Sequence, residues 1–213
     1  MSELERAYDA ATPDAARAKY DAWADTYEAE LMAGGYRLPW IMAAAFARYV
    51  PVEAGPILDA GCGGGMQVEP LALLGYRGIT GLDLSPRMLA GSRAKGLYET
   101  LIDGALGEAL PFDTNHFAAT LTSGTITPGH APPDAFDELI RVTRPGGWLI
   151  YSMRHDAGQE AAYLDAIASY EANGAWREVY RTPVFLTIQN GATNVQYAIN
   201  VCEILKMSLP ETM

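Results

Sequence analysis

Residues 57–68 read ILDAGCGGGMQV. An apolar run stops at Asp59, passes through four glycines in the five residues 61–65, and turns apolar again at Met66. Glycine is the residue whose backbone freedom costs most to freeze, so a cluster at a strand-to-helix junction means that something approaches the main chain closely.

Working outward from that loop, the pattern alternates between strands and helices. Thr12-Pro13-Asp14 carries a helix start, with a capping hydroxyl, proline at the first position and an acid in the first turn. This helix is expected to run to Met32 and stop at Gly34-Gly35, with a second helix over Leu38–Tyr49. Strands follow at Pro56–Ala60, Gly78–Leu84, Tyr98–Ile102, Phe117–Thr122 and Trp148–Ser152. Helices are expected at Val68–Leu74, Arg87–Lys95 (capped by Ser85-Pro86), from Pro133-Asp134 to Val142, and at Gln159–Asn173. Pro145-Gly146-Gly147 reads as a turn, and two strand-like runs, Glu178–Ile188 and Asn194–Lys206, close the sequence. Early strands that are apolar throughout belong in a parallel sheet buried on both faces. The expected fold is α/β: a doubly wound, mostly parallel seven-stranded sheet with helices on both faces, an antiparallel edge hairpin and an amino-terminal helical lid. Such folds bind ligands at the carboxyl ends of their strands.

The formal net charge of −11 opposes nucleic-acid binding, which relies on clustered Lys and Arg. Two cysteines, Cys62 and Cys202, offer neither a disulfide framework nor a zinc spacing, and no metal is expected. The opening residues lack a charged-then-apolar signal pattern. The most apolar segment, LPWIMAAAFARYV, is shorter than a bilayer requires and carries Arg48. A soluble cytoplasmic protein acting on a small molecule is expected, with no nucleic-acid or membrane partner; its oligomeric state is not readable.

Gly61, Gly63 and Gly65 read G-x-G-x-G, with Met66 where a dinucleotide-binding loop wants Gly or Ala. Asp59, directly before the loop, suits a ligand bearing an ammonium better than a bare pyrophosphate. Asp83, at the end of strand two, is placed to accept ribose hydroxyls. Asp103, after strand three, is placed to accept from an adenine amino group. Together they describe an adenosine joined to a cationic amino acid, which is S-adenosylmethionine.

From about Tyr20 to Arg154 the sequence resembles the class I S-adenosylmethionine-dependent methyltransferases. ILDAGCGGG matches their first motif, GLDLSPRML their acidic second-strand motif, and ELIRVTRPGGWLIYS the helix–turn–strand before the substrate region. YDAWADTYE, KGLYETLIDG and GTITPGHAPPDAFDELIRV look most like the methyltransferase-like group named from the Williams–Beuren syndrome region. The resemblance divides the chain into a helical lid over residues 1–50 and a Rossmann-like core over 51–213, as one structural unit. It implies cofactor contacts from Asp59, Gly61, Cys62 and Gly63, from Asp83, Leu84 and Met88, from Asp103, Gly104 and Ala105, and from Ser123 beneath the sulfonium. It also makes Tyr20, Trp23 and Tyr27 an aromatic lid that closes over the cofactor and contacts it, although their helical spacing alone reads as core packing. Gly64 replaces the Thr or Ser of many relatives. Ile126-Thr127-Pro128 stands where amino-methylating enzymes carry N/D-P-P-Y, which argues against adenine or glutamine as the acceptor.

His130, just beyond strand four, is the candidate general base, together with Tyr20; the competing reading is a loop histidine bonded to backbone. His155 reads as a turn residue, and Cys62 as a small loop residue rather than a nucleophile. With Met32, Trp40 and Met42 the acceptor site is expected to be apolar. A thiol is the preferred acceptor, hydroxyl and carboxylate the alternatives, and the product is S-adenosylhomocysteine. A non-catalytic S-adenosylmethionine-binding regulatory or partner protein is the competing function, with an NAD-dependent oxidoreductase disfavoured by the glycine spacing.

Overall fold

The computed structural model describes residues 12–155, 161–190 and 194–205. Strands β1 (Ile57–Ala60), β2 (Ile79–Asp83), β3 (Thr100–Asp103), β4 (Phe117–Thr122) and β5 (Thr143–Arg154) are parallel, and β8 (Gln196–Ile204) runs antiparallel to both β5 and β6 (Trp176–Arg181). The sheet order is β3-β2-β1-β4-β5-β8-β6, with β7 (Phe185–Leu186) pairing with the start of β8. Strand order reverses between β1 and β4, which opens a crevice at the carboxyl ends of the parallel strands.

The architecture is the expected one, with eight strands in place of seven. The run Glu178–Ile188 divides because Pro183 has no N–H to give to a ladder, so β6 ends at Arg181 and pairing resumes at Phe185. The last strand lies inside the sheet, between β5 and β6, so the edge belongs to β6. Pro145-Gly146-Gly147 lies within β5 as a bulge: Phe117 pairs with Thr143 and Ala119 with Trp148, and Gly146 takes φ +73° to make the detour.

The amino-terminal helix also divides, into α1 (Pro13–Trp23) and α2 (Tyr27–Ala33), with Thr26, a weak helix former, at the joint. Thr12 caps α1 through its hydroxyl, 3.2 Å from the Ala15 amide. Helix α3 (Leu38–Tyr49) is part of the core: Leu38, Met42 and Phe46 are fully buried and pack with Ile57, Ile79, Ile150 and Ile199. Only α1 and α2 therefore remain to cover the crevice. Helix α4 (Val68–Leu73) shares the face of α3. Helix α5 (Pro86–Lys95) has the expected cap, the Met88 amide donating to Ser85 Oγ at 3.1 Å, and ends at Gly96 in the left-handed region.

On the other face lie α6 (Ala135–Val142) and α7 (Ala161–Ala172), burying Phe136, Leu139, Tyr163 and Tyr170 against Leu58, Leu82, Leu149 and Trp176. Alternate residues of one strand serve opposite layers, Ile57 and Leu58 being an example. Phe136 is fully buried, so its loss to alanine would cost about 3–5 kcal/mol.

Candidate active site

The glycine loop is crowded mainly by the protein itself. At Gly61, with φ +81°, an added Cβ would lie 2.4 Å from Thr125 Oγ1, in the loop after β4. At Gly64 it would lie 2.7 Å from Glu28 Oε1, on α2. The end of the flexible Glu28 side chain lies in the space that a side chain at position 64 would enter. Gly63, at φ +52°, has nothing within 4 Å of the corresponding point. Its amide donates to Asp83 Oδ2 at 2.8 Å, tying the loop to the end of β2.

Asp83 is only 7% exposed, and Oδ1 accepts from the Ser85 amide at 2.9 Å. Burial pushes its pKa up to about 6, against the lowering effect of the Ser85 and Gly63 amides. Asp59 lies wholly beneath the loop. Its Oδ2 accepts from the Tyr98 hydroxyl at 2.6 Å and Oδ1 has no partner. Burial raises its pKa to about 7; the Tyr98 bond lowers it and the Asp83 charge raises it again. Burial likewise raises the Cys62 thiol well above its usual value, which agrees with a packing role.

A cleft of about 940 Å³, counted out to its mouth, crosses these strand ends. At the β1–β3 end it is lined by Gly61, Asp83, Leu84, Met88, Gly104 and Ala105, all sequence candidates, with Leu82 and Leu106 added. Ser123 and His130 line the middle, and Tyr20 and Tyr27 reach in from the lid helices. Trp23, Asp59, Cys62, Gly63 and Asp103 do not line it. Trp23 is 6% exposed; it lies 4.7 Å from the Tyr27 ring centre, and its indole N–H donates to Glu30 Oε2 at 2.9 Å. Asp103 faces outward and meets Arg17 at 3.4 Å.

Met32, Trp40 and Met42 do not form the far end, contrary to the sequence expectation. Met32 and Trp40 are about half exposed on the surface and Met42 is sealed under the sheet. The far end is instead built by Leu31, Tyr36, Thr187, Val195 and Tyr197. No local motif marks these five; they meet through pairing between the turn after α2 and the segment before β8. Arg37 N donates to Thr187 O, and Gln189 N and Asn190 N both donate to Gly34 O, at 2.9–3.1 Å.

The lid is fastened along one side of its helices. Asp21 Oδ1 accepts from Ser85 Oγ at 2.5 Å, Asp25 meets Arg87 at 2.6 Å, and Glu28 Oε2 meets Lys95 at 2.8 Å. Lys95 also bonds to Glu69 on α4. Burial opposes the Lys95 charge, yet the bonds to Glu28 and Glu69 hold its pKa above the usual value.

In the middle of the cleft the Tyr20 hydroxyl stands 2.5 Å from His130 Nε2. Burial depresses the His130 pKa to about 4; a backbone bond at Pro128 works the other way, and the charges of Arg154 and Lys19 depress it further. The imidazole is therefore neutral at pH 7, with Nε2 facing a hydroxyl that itself faces the cleft.

Residues 58–151 match a family model described as a methyltransferase domain. The malonyl-[acyl-carrier protein] O-methyltransferase of Erwinia pyrifoliae is 30% identical over 62% of this chain and 46% of its own length. The ubiquinone biosynthesis O-methyltransferase of Thiobacillus denitrificans is 30% identical over 63% of this chain and 56% of its own. The chain thus spans about half the length of these curated relatives. In overall fold it is similar to an S-adenosylmethionine-dependent methyltransferase of Thermotoga maritima, described as a possible histamine N-methyltransferase, with a TM-score of 0.65 and 16% identity over 88% of this chain and 98% of that one.

The fold is similar to that of an S-adenosylmethionine-dependent methyltransferase, and residues 58–151 within it match the methyltransferase-domain model. S-adenosylmethionine is the cofactor that this domain implies. The residues present fit it: a buried carboxylate in the cleft, apolar walls from Leu82, Met88 and Leu106, and an unpartnered oxygen of Asp59 under the loop. Among the described residues no helix is long and apolar enough to cross a membrane.

Proposed function

We propose that this protein transfers a methyl group from S-adenosylmethionine to a small nucleophile held between the lid helices and the loops after β4 and β7. The observation that carries the reading is the Tyr20–His130 contact, which joins the lid to the β4 loop in the same cleft that Asp83 lines at the other end.

Bound S-adenosylmethionine supplies a methyl carbon already activated by a sulfonium. The chain's task is to hold and align the acceptor and to keep water out. Each Asp83 oxygen spends one acceptor site on a loop amide and keeps another for a ribose hydroxyl. Gly104 and Ala105, with Leu84 and Met88, enclose the adenine, while Gly61 and Ser123 line the methionine and sulfonium region. Asp59 sits below the loop and draws the ammonium by charge rather than by lining the cleft. Trp23 packs beside Tyr20 and Tyr27 and fixes where their hydroxyls point. Tyr20 accepts a proton from the acceptor while passing its own to His130 Nε2. A hydroxyl acceptor gains from this relay; a thiol, with its lower pKa, needs it less.

In this reading α1 and α2 are the moving cover. The finer kinship with the Williams–Beuren-region group is supported by YDAWADTYE and GTITPGHAPPDAFDELIRV, which contribute Tyr20, Trp23 and Tyr27 and the loop carrying His130.

Calorimetry with S-adenosylmethionine, S-adenosylhomocysteine and NAD, followed by release of S-adenosylhomocysteine over a panel of phenols, thiols, acids and amines, tests the proposal. Binding of the first two ligands with turnover on one class is expected. Absence of binding to either nucleoside overturns it, and binding with no turnover on any acceptor makes the protein a non-catalytic binder.

A further inference from the structure

The far end of the cleft is a wall of rings and neutral groups. Tyr36 and Tyr197 come from opposite ends of the chain and converge on Gly124: a Cβ there would stand 3.9 Å from both hydroxyls. Leu31 and Val195 supply aliphatic surface, and Tyr27 and Tyr20 close it from above. Thr187 is 1% exposed, with its hydroxyl turned back onto the Val195 carbonyl at 3.1 Å. Along the whole cleft the lining among the described residues includes no Lys, Arg or Glu, and Asp83 is at the opposite end. The nearest cations felt by His130 are Arg154 and Lys19, and neither lines the cleft.

We infer that this end takes an uncharged aromatic ring bearing a hydroxyl, so that the acceptor is a neutral phenol and the bond formed is oxygen to carbon. The inference rests on the methyl-transfer reading above and deepens it. A carboxylate carried on the ring would leave water for a wall that, among the described residues, has no Lys or Arg to meet it, which is costly. A flat ring suits the tyrosine faces, and hydroxyls at Tyr36 and Tyr197 can orient a second polar substituent.

Charge balance points the same way. When a phenol oxygen takes the methyl group, the carbon–sulfur pair stays on sulfur and the sulfonium charge disappears. The phenolic proton passes to Tyr20, and the Tyr20 proton to His130 Nε2. One positive charge leaves the cleft as another appears in it, and the phenol ends as a neutral methyl ether. A carboxylate would need no such relay, because its charge and the sulfonium charge cancel in the transfer. The Tyr20–His130 pair would then carry no proton and serve only to join the lid to the β4 loop.

The test compares methyl 4-hydroxybenzoate, 4-hydroxybenzoate, thiophenol and aniline as acceptors, with S-adenosylhomocysteine affinity measured separately by calorimetry. The neutral phenol is expected to exceed the free acid in kcat/KM by at least about tenfold, the consequence of burying an unpaired charge, and to give the methyl ether by mass spectrometry. Tyr36→Phe and Tyr197→Phe should lower kcat/KM for the phenol several-fold and leave S-adenosylhomocysteine affinity unchanged. Cofactor binding together with a preference for the acid, the thiol or the amine overturns the inference and leaves the methyltransferase reading intact. Loss of cofactor binding in the unaltered protein removes both. The wild-type panel decides the question even if a variant fails to fold.

Discussion

At the β1–β3 end of the cleft the lining comes from one continuous stretch, Gly61 to Leu106, through three successive strand-to-loop junctions. From the middle of the cleft to its other end the lining comes from Tyr20, Tyr36, His130, Thr187 and Tyr197, which span most of the chain. The first end is organised by backbone geometry and a buried carboxylate. The second is organised by side chains that meet only because α2, the β4 loop and the segment before β8 are packed together. A site built on consecutive junctions holds one ligand in one way, whereas a site assembled from distant segments can change its acceptor by changing a few side chains.

The most damaging change should be Gly61→Val. It places a branched side chain at φ +81° and drives a Cβ onto Thr125. Strain of this kind costs about 1–3 kcal/mol before the collision is counted, so both ends should fail together, seen as a lowered Tm and lost cofactor binding. A G61V protein with normal affinity would mean that the loop does not join the two halves.

Asp83→Ala should weaken S-adenosylmethionine by about 1–3 kcal/mol, the cost of lost charge-assisted hydrogen bonds. The KM for the acceptor should stay nearly constant; a parallel rise would merge the two ends into one site. In the opposite sense, Tyr20→Phe should cut turnover about a hundredfold through the broken relay to His130, with cofactor affinity within a factor of about two. Equal loss of both would make Tyr20 a cofactor ligand first.

The two ends should also differ in pH response. Asp59 and Asp83 have pKa values raised to about 7 and about 6, and only their ionised forms attract an ammonium or accept from two ribose hydroxyls. S-adenosylmethionine affinity should therefore fall as pH drops through 7 and then 6. His130, lowered to about 4, stays neutral over that range, so turnover at saturating cofactor should lack the usual histidine limb near 6.5. Titration calorimetry and kcat against pH check both halves of this statement. The smallest effect belongs to Glu28→Gln, which removes a half-screened ion pair with Lys95 worth a fraction of about 1 kcal/mol. A slight drop in Tm with unaltered chemistry is expected.

Much of the β1–β3 end was legible because its signals are local. A glycine run after an apolar strand, an acid ending β2 and a Ser-Pro cap each act within a few residues. Asp103 and Trp23 show the limit: their positions read well, but which way a side chain faces depends on partners such as Arg17 and Glu30. Met32, Trp40 and Met42 were misplaced because apolar character marks burial or a surface patch as readily as a pocket wall. Nor does the sequence show that the end of Glu28, far away along the chain, lies where a side chain at Gly64 would point.

The sequence alone settled the α/β sheet, its parallel core and the strand ends at which the cleft opens, because strand period, caps and glycine turns are short-range rules. Tertiary structure alone decided that α3 joins the core, that β8 slips between β5 and β6, and that Tyr20 meets His130. Those outcomes depend on which distant surfaces bury one another, and residue spacing along the chain carries no term for that.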